Sequence, residues 1–142
     1  MKKIILMLCF SLFVLSSCSS DSNNSNEDNS LLFRKWYSVS HTENGTTFYP
    51  PTCTNGHRDY IEFISPNIAK FYYVDGTFGG NDCSDNYAIE PYTFTKNGNV
   101  LNMTYSNGND QSVITISELT ATSLKFVETW DTGSAYRVYS SY

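Results

Sequence analysis

Cations are scarce in this chain: among 142 residues nine are Lys or Arg against fourteen Asp or Glu, a formal charge of −5. Two of the nine, Lys2 and Lys3, fall in an N-terminal segment expected to be removed, and no basic cluster survives elsewhere. A nucleic-acid partner is therefore not expected. Alanine is equally sparse, and no stretch repeats apolar residues at i, i+3, i+4 and i+7 over three turns, which argues against an α-helical protein. Gly-x-Ser-x-Gly, Cys-x-x-Cys and His-x-x-x-His are all missing, so neither a serine-nucleophile elbow nor a patterned zinc site is present. What the chain does have is Tyr, Phe, Thr, Val and Ile, the residues that suit a pleated, half-buried surface.

Residues 1–17 read as a signal. Lys2 and Lys3 form a basic start, residues 4–15 an apolar run broken by Ser11, and Leu15-Ser16-Ser17-Cys18 the end. That run falls short of the ~20 apolar residues a membrane-spanning helix needs. The Leu-Ser-Ser-Cys ending resembles the lipobox of bacterial lipoproteins, which implies cleavage before Cys18, a diacylglycerol thioether on its sulfur and a fatty acyl chain such as palmitate on its amine. Two or more chains make a stable anchor where one is marginal. Residues 18–30 are then the acylated cysteine and a polar tether. From Ser19 onward it holds no aliphatic or aromatic side chain, so it cannot offset the entropy of ordering, and it reaches roughly 20 Å. Ser19 resembles the position that directs delivery to the outer membrane, while Asp21, Glu27 and Asp28 resemble the acidic tethers of surface-displayed lipoproteins; periplasmic-facing and surface-facing placements both stay open. The expected location is the cell envelope, lipid-anchored at the outer membrane.

Four cysteines then resolve into roles. Cys9 leaves with the signal, Cys18 carries lipid, and Cys53 and Cys83 remain in an exported domain where an even pair reads as a disulfide. Closing that loop is worth roughly 3 to 4 kcal/mol in the chain-entropy model. The competing reading, zinc on Cys53, His57, Cys83 and Asp59, lacks supporting spacing. Asp75, Asp82 and Asp85 supply calcium-type oxygens but lack the ordered loop and its closing glutamate.

Residues 31–142 are of a size for one core. After the Trp36 segment, turn residues divide the chain into extended runs at 58–64, 68–74, 86–94, 100–105, 112–119, 123–130 and 135–140. Thr46, Thr47, Phe48 and Tyr49 extend the first strand, Pro51 ends it, and Pro91 marks a bulge or an edge. Lys96-Asn97-Gly98-Asn99 is a hairpin signal. Eight short strands with tight connections predict an all-β, antiparallel up-and-down barrel, which closes to remove its edges. Period-two alternation places Ile61/Phe63, Phe71/Tyr73, Tyr87/Ile89, Leu101/Met103, Ile114/Ile116, Leu124/Phe126 and Tyr136/Val138 inside. Lys70, Asn102, Thr115, Lys125 and Arg137 then face outward.

A family resemblance rests on Leu32-Phe33-Arg34-Lys35-Trp36, on Cys53 followed by Asp59-Tyr60-Ile61-Glu62-Phe63, on Cys83 followed by Tyr87-Ala88-Ile89, and on Ile114-Thr115-Ile116-Ser117-Glu118 running through Leu119-Thr120-Ala121-Thr122-Ser123-Leu124. In this order they resemble the lipocalin-like domain of small bacterial lipoproteins, a calycin-type barrel. That family commonly has glycine two residues before the tryptophan; Arg34 stands there in this chain. The resemblance implies a binding role and gives Arg137 a second reading, a cation–π lid over Trp36.

No catalytic constellation emerges. His41 and His57 sit in or beside loops, and Glu118, Glu128 and Asp131 offer carboxylates without a defined separation, so a non-enzyme with no cofactor and no metal is expected. An eight-stranded interior is either filled or holds one small ligand. In the hollow case a small, largely apolar ligand enters a cup with Trp36 at the floor, Phe63, Phe71, Tyr73, Tyr87, Met103 and Phe126 on the walls and Arg137 near them. In the filled case the outer tyrosines meet a protein or glycan partner. Either way the protein is expected to be a lipid-anchored monomer.

Overall fold

Asn44-Gly45 sets the first reversal of the chain. Both residues have positive φ, 50° and 77°, the geometry of a tight hairpin turn that asparagine and glycine adopt most readily. In the computed structural model, which describes residues 29–51, 53–64, 66–74, 83 and 86–142, this turn joins β1 (Lys35–Glu43) to β2 (Thr46–Phe48). Thr46 to Phe48 therefore does not extend the first strand: it folds back on it, with His41 opposite Phe48 and Glu43 opposite Thr46.

The remaining strands are β3 (Tyr60–Ile64), β4 (Ile68–Val74), β5 (Tyr87–Asn97), β6 (Val100–Tyr105), β7 (Gln111–Leu119), β8 (Ser123–Trp130) and β9 (Gly133–Ser140). Each pairs antiparallel with the next, and β9 returns to β1 from Tyr37 opposite Ser140 to Glu43 opposite Ala135. Eight strands close the barrel and β2 is a short flap on β1. The register shifts between Ser38 and Ser40 and between Ile116 and Glu118, bulges that let the sheet coil.

Pro91 does not interrupt its strand. It lies opposite Lys70 in an unbroken register, and its carbonyl accepts the Ser106 N–H at 3.0 Å. That carbonyl faces β6 just beyond the last β5–β6 pair, Tyr92 with Tyr105, so the missing proline N–H falls at the end of that ladder and interrupts no pair inside it.

The turns at 98–99 and 120–122 and the N-terminal entry gather at one end, and it is closed. Leu32 and Trp36 are fully buried there, and the indole N–H donates to the Leu32 carbonyl at 3.1 Å. Arg34 forms the lid. Its guanidinium lies 5.5 Å from the Trp36 ring and donates to the Ala121 carbonyl at 3.2 Å, while its own carbonyl accepts the Phe63 N–H. The residue that replaces the usual glycine thus ties the entry to β3 and to the β7–β8 turn. Above it Ile61, Phe63, Phe94, Leu101, Ile114, Leu124 and Phe126 fill the barrel.

Cys53 and Cys83 form the expected disulfide, across a sequence separation of 30, and so do not serve as zinc ligands. Residues 1–28, with the signal, Cys18 and nearly all of the tether, lie outside the described residues, as do Asp75, Asp82 and Asp85 of the calcium reading.

Two strands have the opposite phase to the one expected. On β5 it is Glu90, Tyr92 and Phe94 that face inward, because Glu90 lies opposite Phe71 and Tyr92 opposite Ala69. Ile89 is 51% exposed, and Tyr87 stacks outside on His57 at 5.3 Å. On β9 the inner residues are Ala135, Arg137 and Tyr139, while Tyr136 is exposed. Both corrections have one cause. The interior is not apolar throughout, so assigning the greasier member of each alternation to the core inverts the strands that carry its polar part.

Candidate functional site

Four of the inward-facing rows turn polar on the way to the open end. On β8 the period-two row Leu124, Phe126, Glu128, Trp130 runs from the packed core upward, so Glu128 shares a face with two fully buried apolar residues and is itself 7% exposed. On β9 Arg137 lies opposite Phe126. From β7 comes Ser112, from β5 Glu90 and Tyr92, from β4 Phe71 and Tyr73.

Three of these side chains make one network. The Arg137 Nε–H donates to Glu128 Oε2 at 2.6 Å, and the Ser112 hydroxyl donates to Glu128 Oε1 at 3.1 Å. Both oxygens of the buried carboxylate are therefore engaged, as a buried charge requires. Glu90 is different. The Tyr92 hydroxyl reaches it at 3.5 Å, and among the described residues it has no ion pair.

The electrostatics follow from this crowding. Burial pulls the Arg137 pKa down, yet its interactions with Tyr139, Glu128 and Tyr73 outweigh that and the net direction is upward. Burial pushes the Tyr139 phenol up to about 12, with Arg137 pulling back. Tyr92 is pushed up by burial first and then by Glu90 and Glu128; Tyr73 moves the same way, chiefly through burial. A second anion is unwelcome here, and the walls stay neutral phenols.

Around the network lie two lobes that share Phe71, Tyr73 and Arg137, the smaller of them reaching Tyr60 and Tyr72 of the outer face. The larger, about 210 Å³, is bordered by Glu90, Tyr92, Ser112, Glu128 and Trp130, with Asp110 on its rim. The smaller, about 100 Å³, lies toward Ser38, His41, Asp59 and Tyr139 under Tyr49 and Pro50. Burial raises the Asp59 pKa, opposed by the Val74 N–H, which donates to Oδ1 at 2.7 Å. Both lobes are smaller than the roughly 300 to 1,000 Å³ typical of a drug-sized site.

Of the residues expected to bind ligand, Phe71, Tyr73 and Arg137 come together on these lobes. Trp36, Phe63, Met103 and Phe126 are packed in the core and border neither lobe, and Tyr87 is outside. The Arg137 guanidinium does not cover Trp36, since Arg34 does. Sequence reasoning missed Glu90, Tyr92, Ser112 and Trp130 as site residues and weighed Glu128 only as an acid or base. A signal was there: Glu128 keeps the phase of Leu124 and Phe126.

The outer face carries its own aromatic cluster. Tyr37, Tyr60 and Tyr72 sit opposite one another across β1, β3 and β4, with Tyr60 and Tyr72 stacked at 4.2 Å and Tyr87 edge-on to both. Lys35 lies 4.7 Å from the Tyr60 ring and Arg58 5.5 Å from that of Tyr37.

Comparison with known proteins bears on the fold. The model of a lipocalin-like domain matches residues 32–126. A crystal structure of an uncharacterized protein from Bacteroides eggerthii DSM 20697 superposes with a TM-score of 0.52 at 9% identity, covering 76% of this chain and 98% of that one. No curated protein matches the sequence.

Proposed function

Since the chain belongs to the lipocalin-like domain family, a fold that typically binds small ligands and does not catalyse, we propose that it is a lipid-anchored envelope protein whose barrel mouth holds one small ligand. The observation that carries this reading is the two-lobed cavity around Arg137 and Glu128, set where the apolar packing stops. The composition-based expectation of a largely apolar ligand narrows accordingly. Phe71, Tyr73, Tyr92 and Trp130 offer apolar ring area for the body of the ligand, while Glu90, Ser112 and the ion pair offer orientation to a polar group. The chain enters at the closed end, beside Leu32 and Trp36, so on this reading the tether from Cys18 joins the barrel at the end opposite the mouth.

The test uses the full chain in lipid nanodiscs with 5-fluorotryptophan at its two tryptophans. A ligand in the mouth shifts the ¹⁹F line of Trp130 and leaves that of Trp36 in place. A chemically broad panel of small fatty acids, aromatic alcohols, amines and sugars that moves neither line defeats the reading. The anchor is tested separately, by metabolic labelling with an alkynyl palmitate, which Cys18→Ala should abolish.

The outer Tyr37–Tyr60–Tyr72–Tyr87 cluster favours a second reading, a protein- or glycan-interaction module at the cell surface, because contiguous aromatic area flanked by cations is what such a face presents. Covalent capture of an envelope component through a photo-crosslinker at Ile89, lost in Tyr72→Ser, distinguishes it from the first.

A further inference from the structure

The mouth is not charge-balanced. Three carboxylates, Glu90, Asp110 and Glu128, border the larger lobe against one guanidinium, Arg137. The charge of that guanidinium is already paired: its Nε lies 2.6 Å from Glu128, whose second oxygen accepts from Ser112. Glu90 is half-buried among Phe71, Tyr92 and the shared wall of Tyr73, and among the described residues its one side-chain hydrogen bond is a long contact to a neutral phenol.

From this we infer that the ligand of the larger lobe is a small organic cation, an amine or ammonium carrying an apolar or aromatic body, with its charge against Glu90 and its body against Phe71, Tyr92 and Trp130. The inference rests on the reading of the mouth as a ligand site and names what that site selects. The alternatives meet a physical obstacle. An anion meets an Arg137 whose Nε–H is held by Glu128 and brings a further negative charge beside Glu90, Asp110 and Glu128, in a hollow where burial, then Glu90 and Glu128, already discourage ionisation of Tyr92. A neutral molecule covers Glu90 and leaves its carboxylate desolvated with no counter-charge. A cation satisfies that carboxylate and gains the quadrupoles of the surrounding rings, the arrangement by which aromatic cages hold ammonium groups. A volume of about 210 Å³ limits the body to something near one ring and a short chain.

Three molecules of one shape decide the matter: phenethylammonium, 2-phenylethanol and phenylacetate, titrated calorimetrically into the fluorotryptophan-labelled full chain in nanodiscs. Phenethylammonium is expected to bind about tenfold or more tighter than the alcohol and to shift the Trp130 line, with phenylacetate weakest. Glu90→Gln, which keeps the shape and removes the charge, should remove that preference and leave the alcohol within about threefold of its original affinity. The unmoved Trp36 line reports that the variant is folded. If the alcohol or the acid binds as tightly as the amine, or Glu90→Gln leaves the amine unchanged, the cation inference falls while the mouth survives as a ligand site. If none of the three moves Trp130 the inference falls as well, and the broad panel then decides whether the mouth binds anything.

Discussion

At the closed end of the barrel Leu32, Trp36 and Leu124 are fully removed from water, and the buried indole N–H finds a carbonyl. At the mouth Glu128 is nearly as buried, but it is held by a guanidinium and a hydroxyl. The same eight strands thus bury two kinds of surface, and the difference teaches where function can reside. An apolar core has its stability in packing and nothing left to offer a ligand. A polar cluster stabilised by specific partners keeps directional groups available beside a cavity, and its stability depends on those partners staying matched.

The largest effect is expected at the closed end. Trp36→Ala removes a fully buried side chain and should cost about 4 kcal/mol in urea unfolding. No second substitution at the mouth should recover it. Glu128→Ala is expected to cost about 3 kcal/mol by leaving Arg137 desolvated and unpaired, but the double variant Glu128→Met with Arg137→Met should regain most of that loss while ligand-dependent shifts of Trp130 disappear. If the double variant is no more stable than the single one, the mouth is packed like the closed end and the contrast fails.

One pH dependence is expected from the mouth side. His41 stacks on Phe48 at 4.9 Å and borders the smaller lobe, facing Arg137, Glu43 and Asp59; burial, then Arg137, lower its pKa below 6.5. The unfolded chain therefore takes up this proton more readily than the folded one, so the His41 contribution to stability falls as pH drops below about 6.5 and levels only when the folded imidazole also protonates. Melting temperatures of the wild type and His41→Phe, compared from pH 7 to pH 5, should show a shallower acid-side decline in the variant. An unchanged slope places the dependence elsewhere, with Asp59 excluded by sign: burial raises its carboxyl pKa, so ionisation costs the folded state and its contribution declines as pH rises.

How much was legible follows the same division. The barrel, the plug and the disulfide could be read because Trp36, the Asn-Gly and Gly-Asn turns, and the alternating rows on β3, β6, β7 and β8 all obey one rule, apolar side in. The site was less legible because it is the place where that rule stops. Glu90 on β5 and Arg137 on β9 look like solvent-facing residues between Ile89 and Pro91, and between Tyr136 and Val138. Only the register against Phe71 and Phe126 turns them inward, and register is a property of two strands that neither carries alone. Arg34 is the converse case: a departure from the family's glycine that the structure uses as a lid.

A surface pair of nearly the same length isolates what burial contributes. Lys125 lies 2.7 Å from Glu118, against 2.6 Å for Arg137 and Glu128, and in each pair the partners come from neighbouring strands. The side chains of the first pair are 33% and 37% exposed, those of the second 20% and 9%. Hydrogen bonding to Lys125 lowers the Glu118 pKa, and the same bond raises that of Lys125, yet water and salt screen the pair and two long side chains lose freedom in making it. Lys125→Ala should therefore leave the urea midpoint within the error of the measurement, and 0.5 M salt should not widen the difference. A loss approaching that of Glu128→Ala would mean that pair geometry, and not burial beside the cavity, sets the strength of the mouth.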